Sequence, residues 1–152
     1  MTQAARSEET IEPRISYVIA RLERAVRAAI AERVRPFGLT TLQYTTLSIL
    51  GRRGGLSNAQ LARRAYMTPQ SMSEVIEALE AKELLVREPH PHHRRVFPAS
   101  LTPRGCAVLT ACDAAVDELE EEMLHGLDRD ERARLRASLV AAVRGLHAGF
   151  PQ

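Results

Sequence analysis

No tryptophan occurs among the 152 residues, and aromatics together make up only 4% of the chain. A sheet sandwich would be short of large inward side chains, whereas the alanine-, leucine- and arginine-rich stretches that dominate instead favour packed helices. Lysine is almost missing too: Lys82 is the only one among 21 basic residues. Arginine's planar fork suits paired contacts with phosphates or base edges, although a base bias across the genome yields the same preference. No apolar run approaches the roughly 18 residues a membrane span requires. The opening MTQAARSEET also lacks the hydrophobic stretch of a signal peptide. A soluble cytoplasmic protein is expected. Cysteine is scarce as well: Cys106 and Cys112 stand six apart in a helical stretch. There they lie about 120° and 9 Å from each other, so no bridge joins them within one chain. They read as small core residues.

Catalytic signatures are equally lacking. The chain has no G-x-S-x-G, no phosphate-cradling glycine loop and no H-E-x-x-H, and its glutamates fall on solvated helix faces rather than in an apolar pocket. Neither an enzyme nor a cofactor is expected. The net charge of +2 is too small to argue for nucleic acid by itself, so the location of the charge has to decide.

What is present is a succession of capped, amphipathic helices interrupted by one hairpin. Apolar residues from Ile15 to Val34 recur at helical spacing. Pro36 and the FGLT after it break that helix, and a second follows from about Thr41 to Gly51. Ser57, three residues before Gln60, opens a short helix from Asn58 to about Ala65. Thr68-Pro69 is a cap followed by proline at the first helical position, and Met72, Val75, Ile76 and Leu79 then form one stripe. Leu84 to Arg87 and Arg95 to Leu101 read as two strands around a basic tip, with Pro98 confined to an open edge. Thr102-Pro103 repeats the cap-then-proline signal for a long helix to about Gly126, whose stripe includes Ala107, Val108, Ala111 and Met123. Asp128 with Glu131 starts a last helix that runs towards Gly149 and Pro151.

The expected fold is thus mainly α with a small two-stranded β wing: a winged helix-turn-helix carried on long N- and C-terminal helices. A short helix braces a second whose first turn can enter the major groove, while the hairpin beside it touches backbone or minor groove. Beyond the apolar stripe of that second helix, Gln70, Ser71 and Ser73 carry the hydrogen-bonding groups that base edges need, and Glu77 is expected to stay in solvent. From Arg52 to Arg95 eight basic side chains outnumber five acidic ones by three, more than the surplus of two in the whole chain. Positive charge is therefore concentrated where groove binding would use it.

The stretch from Leu56 to Gly105, LSNAQLARRAYMTPQSMSEVIEALEAKELLVREPHPHHRRVFPASLTPRG, resembles the DNA-binding core of the MarR (multiple antibiotic resistance regulator) family. The flanking helices resemble that family's dimerisation region. The family's wing runs Asp-x-Arg, five residues, Leu-Thr; here it reads His93-Arg94-Arg95, five residues, Leu101-Thr102. The resemblance implies one chain with dimerisation helices at 11–36 and 103–150 around a winged DNA-binding region at 40–102. It further implies a homodimer on an approximately palindromic duplex, acting as a repressor that a small lipophilic or phenolic effector releases. Arg95 is then the wing residue of the minor groove, Arg94 a neighbouring phosphate contact, Thr68 the cap beside the reading residues Gln70, Ser71 and Ser73. His93 replaces the aspartate that orients the wing arginine, and a histidine there can instead gain a proton near phosphates. Tyr17 and Tyr44 are candidates for the effector cleft. His90, His92 and His93 read as solvated wing residues rather than as a metal site, because a proline-bearing loop offers poor ligand geometry. A helical protein-interaction module without specific DNA binding is the alternative; it explains the helices but not the wing.

Overall fold

Side-chain caps set where the helices begin. In the computed structural model, which describes residues 12–147, α1 spans Ile15–Val34 and passes through a short 3₁₀ turn into α2, Thr41–Arg52. The α2 start is a capping box between Thr40 and Gln43. Equivalent boxes from Ser57 to Gln60 and from Asp128 to Glu131 open α3, Asn58–Arg64, and α6, Arg129–Gly145. Thr68 and Thr102 each accept a hydrogen bond from the backbone N–H three residues on, ahead of a proline, and so begin α4, Pro69–Ala81, and α5, Pro103–Met123. Each cap satisfies an amide that the helix geometry would otherwise leave without a partner.

Between α4 and α5 the chain forms an antiparallel pair, β1 (Leu85–Arg87) with β2 (Ala99–Leu101), in the register Leu85 opposite Leu101. The second strand is shorter than the expected Arg95 to Leu101. Pro98 has no N–H for a ladder and stands just before the pairing, where only its carbonyl is used, accepting from the Glu88 amide. Leu56 pairs with Ala99 on the other side of β2. This third partner is a single residue and carries no periodicity to announce it.

The core lies where α2, α3, α4 and the root of the hairpin meet, around Leu47, Leu61, Met72, Ile76, Leu79 and Leu85. From α5 it takes Leu109 and Cys112. The buried line of α5 is thus rotated somewhat from the expected stripe, of which Val108 and Ala111 are half-buried while Ala107 and Met123 are exposed. Cys112 is buried as expected, but Cys106 is exposed, because it lies about 100–120° round the helix from the buried Gly105 and Cys112. The helices α5 and α6 stop earlier than expected, at Met123 and Gly145; the expected helix limits at residue 11 and at residues 149–151 lie outside the described residues.

The junction of hairpin and α5 explains the Leu-Thr-Pro-x-Gly run. Leu101 ends the ladder, the Thr102 hydroxyl donates to the Glu83 carbonyl at 2.7 Å, and the Thr102 amide donates to the Leu84 carbonyl at 3.2 Å. A Cβ on Gly105 would overlap that same Leu84 carbonyl, so only glycine lets the first turn of α5 seat here. Glu83 itself takes φ 59°, the left-handed conformation that turns the chain from α4 into β1.

Candidate nucleic-acid interface

The start of α4 is held by its own cap. Thr68 accepts from the Ser71 amide at 3.2 Å, and its hydroxyl donates to the Ser71 hydroxyl at 2.9 Å. Gln70, Ser71, Glu74 and Glu77 are exposed, while Met72, Ile76 and Leu79 are buried beneath them. Ser73 stands apart from the other expected readers: it is half-buried, donates to the Pro69 carbonyl at 3.1 Å and accepts from the Asn58 side-chain amide at 2.9 Å.

The wing tip is an ordered turn. His93 N–H donates to the His90 carbonyl at 3.3 Å, Val96 N–H to the His93 carbonyl at 2.9 Å, and His90 N–H to the Val96 carbonyl at 2.9 Å. His92 N–H donates to His90 Nδ1 at 3.1 Å, and the His90 and His93 rings lie 5.0 Å apart. Arg94 and Arg95 extend from this turn, exposed. Arg95, with Arg87, Phe97, Asn58 and Pro69, lines a groove of about 380 Å³ between the wing and the starts of α3 and α4.

Paired arginines occur in both parts of the chain, and so do arginines that make no ion pair. Among the described residues Arg52, Arg53, Arg63, Arg94 and Arg95 make no ion pair. Arg87 does: it grips Glu80 at 2.6 Å, a hydrogen bond that raises the pKa of its guanidinium and ties β1 to α4. Lys82 donates to the Gly38 carbonyl and to Gln43. In the flanking helices Arg33 is engaged with Glu118 and Glu122, and Arg132 with Glu121.

The two tyrosines are not brought together in the chain. Tyr17 is exposed on α1, with Arg21 stacked 5.9 Å over its ring. Tyr44 is half-buried and donates to Asp113 Oδ1 at 2.8 Å, joining α2 to α5. Burial, reinforced by that hydrogen bond, pushes the Tyr44 phenol up to about 12. A separate groove of about 800 Å³ runs between α1 and α2, lined by Val26, Ile30, Leu42 and Thr45 with Arg24 and Arg27 among its walls. Neither tyrosine lines it.

The family model of the MarR family matches residues 37–96, the lobe that carries the reading helix and most of the wing. The HTH-type transcriptional repressor Rv2887 of Mycobacterium tuberculosis is 30% identical over 125 residues, which span 82% of this chain and 90% of that protein. The chain belongs to the MarR family. Rv2887 in complex with DNA superposes with a TM-score of 0.73 at 29% identity, over 84% of this chain and 96% of that one. The same protein in complex with p-aminosalicylic acid gives 0.70 over the same shares. The transcriptional repressor CouR, bound to a 23-mer DNA duplex, gives 0.78 at 26% identity, over 86% of this chain and 92% of that one. Among the described residues no helix is long and apolar enough to cross a membrane.

Proposed function

We propose that this MarR-family chain is a sequence-specific, DNA-binding repressor that works in the cytoplasm as a homodimer and performs no chemistry of its own. The observation that carries this reading is the exposed, capped start of α4 with the wing beside it, whose Arg95 shares a groove with Pro69 and Asn58 and whose Arg94 and Arg95 make no ion pair among the described residues. Left open, they suit phosphates, whose neutralisation releases counterions and supplies most of the affinity. Gln70 and Ser71 read base edges in the major groove and Arg95 enters the adjacent minor groove.

The second copy follows from what one chain leaves uncovered. No residue of α6 is buried, and Leu22, Leu135, Leu139 and Val143 face an apolar cavity of about 750 Å³ between α1, α5 and α6. Interlocking these helices across a two-fold axis removes that surface from water. Two reading helices then meet successive major grooves about 34 Å apart, which calls for an approximately palindromic site. The effector is assigned to the groove between α1 and α2, whose apolar walls and Arg24 suit a small phenolic or lipophilic anion, Arg27 there being paired with Glu23; the relative in complex with p-aminosalicylic acid supports that class. Such a molecule releases DNA only if it binds the non-reading arrangement of the dimer more tightly.

Sequencing the duplexes that the purified protein selects tests this reading. Recovery of a two-fold-symmetric site is the expected result. With that site in hand, Arg95→Ala is expected to weaken binding about tenfold and to lower the slope of log affinity against log salt by about one. Equal, weak binding to selected and unrelated duplexes would overturn the reading.

A further inference from the structure

We infer that Asn58 and Ser73 form a positioning pair that sets how the reading helix α4 is presented to DNA, and that Ser73 acts through this pair rather than on a base; the inference rests on the DNA-binding reading above. Asn58 is the first residue of α3, and its Nδ2 donates both to the Pro69 carbonyl at 2.9 Å and to Ser73 Oγ at 2.9 Å. Ser73 Oγ donates in turn to the same Pro69 carbonyl at 3.1 Å. These three bonds close a ring between the start of the bracing helix and the first turn of the reading helix.

Elsewhere the two helices bring apolar residues into the core, Leu61 and Ala62 from one and Met72 and Ile76 from the other. Apolar packing sets the crossing of two helices only to within about 15–20°. Hydrogen bonds are directional and weaken away from alignment, so the ring narrows that range at the end of α4 that meets DNA. The chemistry of the hydroxyl points the same way. A serine has one proton to donate, and that of Ser73 is already committed to Pro69. Gln70 and Ser71, both exposed, are left as the readers.

The test measures affinity for the selected duplex and for an unrelated duplex, with melting temperature, in the full-length protein and in Asn58→Ala, Ser73→Ala and the double variant. Each single change is expected to weaken binding to the selected site by about tenfold, and the double change no further than the worse single one, as for two members of one coupled unit. Affinity for the unrelated duplex is expected to stay within about twofold, because it comes from the arginines. Scored against single base-pair changes in the site, Ser73→Ala is expected to flatten preference at every position α4 reads. Flattening at one position only, or additive losses in the double variant, would make Ser73 a direct reader and overturn the pairing. Equal losses on both duplexes together with a lowered melting temperature would reduce the ring to a folding contact and overturn it too. Ser73→Ala keeps a good helix former at its position, so its base-pair profile carries the test even if Asn58→Ala melts early. Failure of the unaltered protein to tell the two duplexes apart would overturn the DNA-binding reading and this inference with it.

Discussion

The winged lobe covers its apolar side chains within one chain, whereas the helices on either side leave theirs open. From Leu39 to Ala99 the large aliphatic residues of α2, α3 and α4 are mostly buried, and the lobe's exposed apolar residues are concentrated at Phe37, Tyr66 and the wing residues Val86, Val96 and Phe97. In α1 only Val34 is buried, while Ile15 is 78% exposed and Tyr17, Val18 and Leu22 are open as well. Helix α6 carries the same kind of amphipathic pattern and buries nothing. Charge does not divide the same way: each region has paired arginines, Arg87 with Glu80 in the lobe and Arg33 and Arg132 with glutamates in the flanking helices, and the lobe adds Arg94 and Arg95, which make no ion pair among the described residues, on its wing. One region is finished and waits for an anion; the other is unfinished and waits for a copy of itself.

The sharpest way to break this contrast is to place a charge on the open face of α6. Leu139→Glu puts a carboxylate where Leu135 and Val143 also face the cavity, and desolvating it against a second copy is unfavourable even with Arg136 in the same wall, because the cost of burying charge is not fully returned by an ion pair. The expected outcome is a shift from two chains to one by light scattering, with helical content kept and affinity for the selected duplex reduced on the order of a hundredfold, because two linked half-sites become two separate events. An unchanged mass would mean that α6 is not part of the interface.

Next in size is a change at the hinge between the two regions. Gly105→Ala drives a methyl group into the Leu84 carbonyl. Backbone cannot step aside as a flexible side chain can, so stability is expected to fall by about 3 kcal/mol, roughly 10 °C in Tm. The lobe and α5 should melt together if the Thr102 and Gly105 seat couples them. A melting temperature within a degree or two of the unaltered protein would show that α5 hangs on the lobe loosely.

The same contrast governs what could be read before the fold was known. Caps were legible because their chemistry is local: Thr68-Pro69, Thr102-Pro103, Ser57 with Gln60 and Asp128 with Glu131 all begin helices where their spacing says they should. The stripe of α4 was legible because one lobe consumes it. The stripe of α5 was not, since one face of that helix packs on the lobe at Leu109 and Cys112 while another stays open, and a sequence does not say which face a single chain uses. Ser73 looked like a reader because its type and spacing suit one; only the approach of Asn58, fifteen residues earlier, shows its hydroxyl engaged. Leu56 as a third strand partner had no local signal at all. Tyr17 and Tyr44 stand out in the sequence as aromatics on helices; Tyr44 is a strut to Asp113, and neither lines the groove between α1 and α2.

The smallest expected effect separates the two cysteines on α5, which differ only in which side of that helix they occupy. Cys106 is exposed and Cys112 is fully buried, and burial, with the nearby Asp113 carboxylate adding to it, pushes the Cys112 thiol up to about 11. The thiolate is the reactive form. A raised pKa means that at pH 8 about one Cys112 in a thousand is ionised even before access is considered, and that fraction grows about tenfold for each pH unit until the thiol titrates. An alkylating reagent at pH 8 is therefore expected to add one label per native chain, at Cys106, and a second only after denaturation, as read by mass spectrometry of the digested protein. DNA affinity is expected to change by less than about twofold on that single labelling, since Cys106 is no part of the arginine-lined face. Labelling of Cys112 in the native protein at a rate near that of Cys106 would show that α5 swings away from α2 in solution. The finished lobe would then be less finished than its burial implies.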